Sequence, residues 1–286
     1  VSTQPMPPVA PPAPQRAAAA TVREVQLSVR NIGRSFGGVR AVVDVSLDVY
    51  RGEILGIIGP NGAGKTTFFE ILTGFTSADA GNVVFEGRDI TKASPERRAR
   101  AGLVRSFQSS ALFPTLTVLE TVMVAEERTV PTGTLESVTG IGRKEGKRRA
   151  RAMELLDVMG LRSLAYRQVS GLSTGQRRMV ELTCMLALEP RTLLLDEPAG
   201  GLSTAEGDQL VELFTAIRRD LGTTLVIVEH DLPLLNRTVD RMVAMELGAI
   251  IAVGTPEEVR NHPDVVRSYL GTEAAAVERS GSLTPA

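Results

Sequence analysis

The sequence predicts an α/β protein built on a mostly parallel sheet, and three observations carry that prediction. Apolar runs of strand length alternate with amphipathic stretches of helix length through the second half of the chain. One run, "GEILGIIG", is apolar throughout, the pattern of a strand covered on both faces. It passes directly into a glycine-rich turn and a helix, "GPNGAGKTT".

The opening "VSTQPMPPVAPPAPQRAAAA" is rich in Pro and Ala and lacks the basic start and apolar core of a secretory leader. Residues 1–22 therefore read as a disordered or polyproline-like tail. "VREVQLSVRNIGRSF" and "AVVDVSLDV" read as strands. The second sets Val43, Val45, Leu47 and Val49 against Asp44, Ser46 and Asp48, the alternation of an antiparallel strand with one wet face. A helix is expected from Lys65 to about Leu72, and "NVVFEG" resumes strand character.

Residues 92–172 differ and read as a helical insertion. "PERRARAG" and "TVLETVMVAEE" look helical, and "TVPTGTLESVTGIG" looks like a loop. "RKEGKRRARAMELLDVMGL" is a basic helix with apolar Met153, Leu156, Val158 and Met159. From Ser173 the alternation returns: a helix over about 174–188, strand "TLLLD", a helix over 204–220, strand "TTLVIVE" and a short helix after His230. "RMVAM" and "AIIAVG" are short strands, and "TPEEVRNHPDVVRSYLG" closes with two small helices. One domain is thus expected over 23–271, followed by a flexible tail at 272–286.

Composition excludes several classes. With 286 residues and 43% hydrophobic content the chain can build a sizeable core. A net charge of −1 gives no global field for nucleic acid. One cysteine rules out an internal disulfide and a Cys-rich zinc site. No apolar run approaches the roughly 18–20 residues of a membrane-spanning helix.

Gly59, Pro60, Asn61, Gly62, Ala63, Gly64, Lys65 and Thr66 fit G-x-x-x-x-G-K-[ST], with Thr67 next in the helix. Gly62 and Gly64 permit backbone shapes closed to other residues, so successive N–H groups can point at phosphate oxygens. The helix N-terminus adds partial positive charge, Lys65 a full one near the β- and γ-phosphates, and the Thr66 hydroxyl can ligate Mg²⁺. Alone, the motif leaves a kinase, a GTPase and an ATPase open.

"RTLLLDEP" ends an apolar strand in two acids. Asp196, at the strand's C-terminal end, is placed to face the Mg²⁺ at Thr66. Glu197 can orient and deprotonate an attacking water, since phosphoryl transfer needs chiefly positioning and charge neutralisation. His230 follows another apolar strand at the same edge and can hydrogen-bond a γ-phosphate. Gln108, in "VRSFQSS", can touch a Mg²⁺-bound water without adding charge. His262, at a helix boundary, reads as structural.

Gly59–Thr66, Gln108, Leu172–Gln176, Asp196–Glu197 and His230, in this order, resemble the ATPase subunit of the ATP-binding cassette (ABC) family over about residues 24–271. The resemblance implies a P-loop NTPase of ABC type, with an antiparallel β subdomain, that uses ATP and Mg²⁺. It implies that two such chains, homo- or heterodimeric, sandwich two ATP molecules. Ser173, Thr174, Gly175 and Gln176 would then contact the partner's nucleotide, and Phe36 would stack on adenine. Gln108 would couple ATP to transmembrane permease subunits, holding the chain at the cytoplasmic face of the cell membrane. A solute-binding protein is a further expected partner, and nucleic acid is not. Three departures stand out: Thr174 where glycine is commonest, Ser203 for the usual Asp, and Cys184 for a frequent arginine.

"RSFQSSALFPTLTVLETVMVA" and "IAVGTPEEVRNHPDVVRSYLG" are similar to the branched-chain amino acid importer branch. Urea and amide importers and lipopolysaccharide exporters share parts of these patterns. A soluble cassette clamp acting in translation or DNA repair is disfavoured: there is a single motif set, and residues 67–172 lack sustained heptads. A small-molecule kinase would leave 172–176 unexplained. The basic run Arg143–Arg151 reads as a solvated helix face, or as a contact for anionic headgroups.

Overall fold

The computed structural model describes residues 23–106, 112–126, 143–202 and 204–269. Two sheets enclose one helix. The first sheet is antiparallel: β1 (Val25–Phe36), β2 (Val39–Tyr50), β4 (Ala80–Phe85) and β5 (Arg88–Asp89), in the order β2-β1-β4-β5. The second has the order β10-β9-β3-β8-β7-β6. Its members are β3 (Ile54–Ile58), β6 (Leu103–Arg105), β7 (Thr192–Asp196), β8 (Thr224–Val228), β9 (Arg241–Glu246) and β10 (Ala249–Gly254). All its pairings are parallel except β9–β10.

β3 shows why its sequence is apolar at every position. Leu55 and Ile57 face the core shared with the antiparallel sheet, while Ile54 and Ile58 face the core under the helices. Helix α1 (Lys65–Thr73) fills the space between the sheets with Phe68, Phe69, Ile71 and Leu72, all fully buried. Each such side chain contributes about 1.5–3 kcal/mol of hydrophobic burial. Gly74, in the left-handed region, ends the helix.

The alternation expected in β2 is broken. Asp44 is left-handed (φ 50°) and its carboxylate accepts from Asn31 Nδ2 at 2.8 Å. Between the pairs Ile32–Val45 and Arg34–Val42 one extra residue enters β2. Such a bulge reverses the inside–outside parity. Val42 is consequently buried, and Val43 is only half-buried.

The stretch 92–172 is not helical throughout. α2 (Pro95–Arg100) leads into β6, which joins the parallel sheet beside β7. The helical block proper comprises α3 (Val118–Glu126), α4 (Arg143–Val158) and α5 (Thr174–Leu186). Along α4 the buried face is Ala152 and Leu156, continued just past its end by Met159, with Met153 half-buried. Val158, expected with them, is 48% exposed, because it lies about 160° round the helix from Leu156, on the face of exposed Glu154. The loop expected at 129–142 falls outside the described residues.

Of the basic run, Lys147 and Arg149 are exposed, and Arg151 turns inward to pair with Glu189 and, at 3.5 Å, with Glu126. Glu126 is completely buried, and burial lifts its pKa to about 7 against the pull of Arg151 and Arg148. A raised carboxyl pKa stabilises the fold at low pH. That stability is lost as pH climbs from the ordinary value of 4.5 through about 7, where the unfolded chain ionises first. Glu126→Gln removes this dependence. The stability difference between variant and wild type should therefore shift in the variant's favour by about 1–3 kcal/mol between pH 4.5 and 8. Urea midpoints at the two pH values measure it.

The described residues close with α6 (Thr204–Leu221), α7 (Leu232–Thr238), α8 (Pro256–Arg260) and a helix α9 over 263–269. Among the described residues no helix is long and apolar enough to cross a membrane.

Candidate nucleotide-binding site

The C-terminal ends of β3, β7 and β8 bring the site together. The loop after β3 is braced from two directions. Gly248 N–H donates to Ala63 O (3.0 Å), and Val43 N–H donates to Gly248 O (2.8 Å). Gly64 has φ 96°, and a Cβ there would lie 2.3 Å from Ala41 O. No larger residue fits without moving β2.

No side chain caps α1. The first intrahelical bond runs from Phe68 N–H to Gly64 O (2.9 Å), so the N–H groups of Lys65, Thr66 and Thr67 have no helical partner. Such a terminus suits an anion. Lys65 is 7% exposed, and its ammonium donates to Gly59 O (2.6 Å) and Pro60 O (3.0 Å). Burial holds its pKa below the usual lysine range, and the carboxylates of Glu197 and Asp196 oppose that shift. Thr66 is exposed beside it.

Asp196 is 1% exposed, which excludes a solvated acid. Its Oδ2 pairs with Arg105 Nη2 at 2.9 Å, and its N–H donates to Ser106 Oγ at 2.9 Å. Its other oxygen, Oδ1, is buried without a hydrogen-bond partner among the described residues. An acid with one oxygen clamped and one open, together with a nearby hydroxyl, fits a hard divalent cation such as Mg²⁺.

Glu197 adopts φ 50° and sets its Oε1 3.1 Å from His230 Nε2. Both side chains are partly exposed, open to water and ligand. Behind them Glu229 is buried, and its carboxylate accepts from Ala199 N–H (2.6 Å) and His230 N–H (3.1 Å). Burial raises its pKa, and those N–H groups oppose the rise. It ties the turn after Glu197 to the turn that carries His230. Phe36, at the end of β1, is 45% exposed, and Arg34 lies over its ring at 4.6 Å.

Ser173 caps α5: its Oγ accepts from Gln176 N–H (3.2 Å), and Gln176 Oε1 accepts from Ser173 N–H (3.1 Å). Ser173 and Thr174 are exposed, and Gly175 rests against the Glu206 carboxylate of α6. Gln108 and Ser203 fall outside the described residues.

The structure thus gathers Lys65, Asp196, Glu197 and His230, and leaves Ser173 and Thr174 exposed at the start of α5. Arg105, Arg178 and Glu229 were not singled out from the sequence. Arg105 meets its partner across 91 residues, a pairing that no local pattern signals. "VEHD" drew attention to its histidine rather than to the acid before it.

A family profile described as "ABC transporter" matches residues 42–200. A second, described as "Branched-chain amino acid ATP-binding cassette transporter", matches residues 249–275. The high-affinity branched-chain amino acid transport ATP-binding protein LivG of Escherichia coli is 39% identical over 248 residues, covering 86% of this chain and 97% of the relative. The corresponding protein BraF of Pseudomonas aeruginosa is 37% identical with the same coverage. Among solved structures, the ADP conformation of an ATP-binding cassette of an ABC transporter has a TM-score of 0.76 at 32% identity, covering 86% of this chain and 99% of that one. A nucleotide-free cassette gives 0.73 at 32% identity, covering 86% and 98%.

Proposed function

The chain belongs to the ABC transporter family, and from that premise we propose that it is the ATP-hydrolysing subunit powering import of branched-chain and related hydrophobic amino acids. The observation that carries the hydrolytic reading is the Glu197–His230 contact of 3.1 Å, next to a lysine loop and an uncapped helix start.

In this reading ATP lies along 59–67, with Phe36 on its base. The open N–H groups of α1 and the Lys65 ammonium bind the β- and γ-phosphates. Thr66 and Asp196, with Gln108, would hold Mg²⁺. The ion, when bound, supplies charge neutralisation on the phosphate oxygens. Glu197 takes the proton of the attacking water. His230 holds the Glu197 carboxylate in line and hydrogen-bonds the γ-phosphate. Ser173–Gln176 approaches the nucleotide from a second ATPase subunit, so each reaction centre is completed by two chains.

Permease subunits would dock at an apolar groove of about 670 Å³ lined by Phe75, Leu112, Ala125, Cys184 and Met185. Cys184 suits this wall: burial pushes its thiol up to about 12, which leaves it uncharged and unreactive. A solute-binding protein would deliver the amino acid on the far side of the membrane, with this subunit peripheral on the cytoplasmic face.

The test is reconstitution in proteoliposomes with its permeases and solute-binding protein. Uptake of labelled leucine should require ATP on the side that holds this subunit. Failure of the chain to co-purify with any multi-span membrane protein would remove the transport reading.

A further inference from the structure

Glu197 holds a left-handed backbone without being glycine, so its neighbours must fix it there. Its N–H donates to Val228 O (2.9 Å), and its carbonyl accepts from Gly200 N–H (3.1 Å). A third contact comes from another element. Arg178 Nη2 donates to the carbonyls of both Asp196 and Glu197, at 3.3 Å each.

Arg178 belongs to α5 and lies two residues beyond Gln176. Its Nη1 donates to Glu181 Oε2 at 3.0 Å, one turn further on. Both side chains are largely buried, 13% and 11% exposed. One end of the guanidinium is therefore locked to its own helix, and the other grips the turn that aims Glu197. A planar fork can donate in two fixed directions at once, whereas a lysine ammonium keeps the charge without that geometry.

We propose that Arg178 is a positioning residue that links the two nucleotide sites. It transmits the seating of 173–176 on the partner's nucleotide to the carboxylate that serves this chain's own nucleotide. The inference rests on the hydrolytic reading above. It also gives a chain with Ser203 in place of the family's usual aspartate a separate physical route between the sites.

Two measurements on Arg178→Gln and Arg178→Lys test it. In the free chain without nucleotide, hydrogen exchange at the amides of Glu197, Ala199, Gly200 and Gly201 should speed up on the order of tenfold in the glutamine variant and less in the lysine variant. In the assembled transporter, Arg178→Gln should lower kcat roughly 10- to 100-fold with the KM for ATP within about twofold, and Arg178→Lys should recover part of the loss. Unchanged exchange at 197–201 overturns the tether. A kcat within about twofold of wild type, or a loss of kcat matched by an equal loss of ATP affinity, overturns the positioning role. If the wild type itself hydrolyses no ATP, the hydrolytic reading falls, and the exchange measurement still decides whether Arg178 holds the turn.

Discussion

Glu197→Gln is expected to reduce ATP hydrolysis by at least about 100-fold while ATP still binds. The substitution keeps the side chain's size and its contact distance to His230, now 3.1 Å from a neutral amide oxygen. It removes the negative charge and with it the ability to accept a proton. The carbonyl and N–H that fix the backbone of residue 197 belong to the main chain and are unaffected. The chain should therefore fold normally, bind nucleotide, and accumulate as an ATP-bound dimer of cassettes. Single-turnover hydrolysis and size-exclusion chromatography with ATP measure the two halves of this expectation. A variant turning over near the wild-type rate would mean that another group takes the proton.

Lys65→Ala is expected to act one step earlier, on binding. A charge-assisted hydrogen bond to phosphate contributes about 1.5–3 kcal/mol, so nucleotide affinity should fall roughly 10- to 100-fold. The fold should not suffer in proportion. Lys65 is buried at a desolvation cost that depresses its pKa, and among the described residues its ammonium bonds to two loop carbonyls. Replacing a buried cation by alanine relieves that cost. Titration of a fluorescent nucleotide gives the affinity, and a thermal melt without nucleotide gives the stability. Affinity equal to wild type would contradict the phosphate-cradle reading of residues 59–67.

The legible parts of this molecule are those whose chemistry is local. The phosphate loop is written in eight consecutive residues, because the backbone shape it needs admits glycine at fixed spacings. Asp196 and Glu197 could be read because two acids close an apolar strand at the sheet edge where the phosphate loop also opens. The α/β alternation was readable for the same reason, since each strand and helix carries its own period. What escaped depends on partners distant in the chain or on single-residue irregularities. Arg105 ends a strand of three residues, too short for any periodicity, and meets Asp196 only once β6 and β7 pair. The bulge at Asp44 shifts burial from Val43 to Val42, although the sequence alternates cleanly through it. Glu229 and Arg178 act on main-chain groups, which look alike in any sequence.

The bracing of the loop between β2 and the β9–β10 turn carries a consequence for how the chain meets its ligand. Because Ala63 and Gly64 are already wedged against neighbouring main chain, capture of a nucleotide need not freeze a floppy segment. Little binding energy is then diverted into ordering, so more of what the cradle's contacts supply is expressed as affinity for the triphosphate.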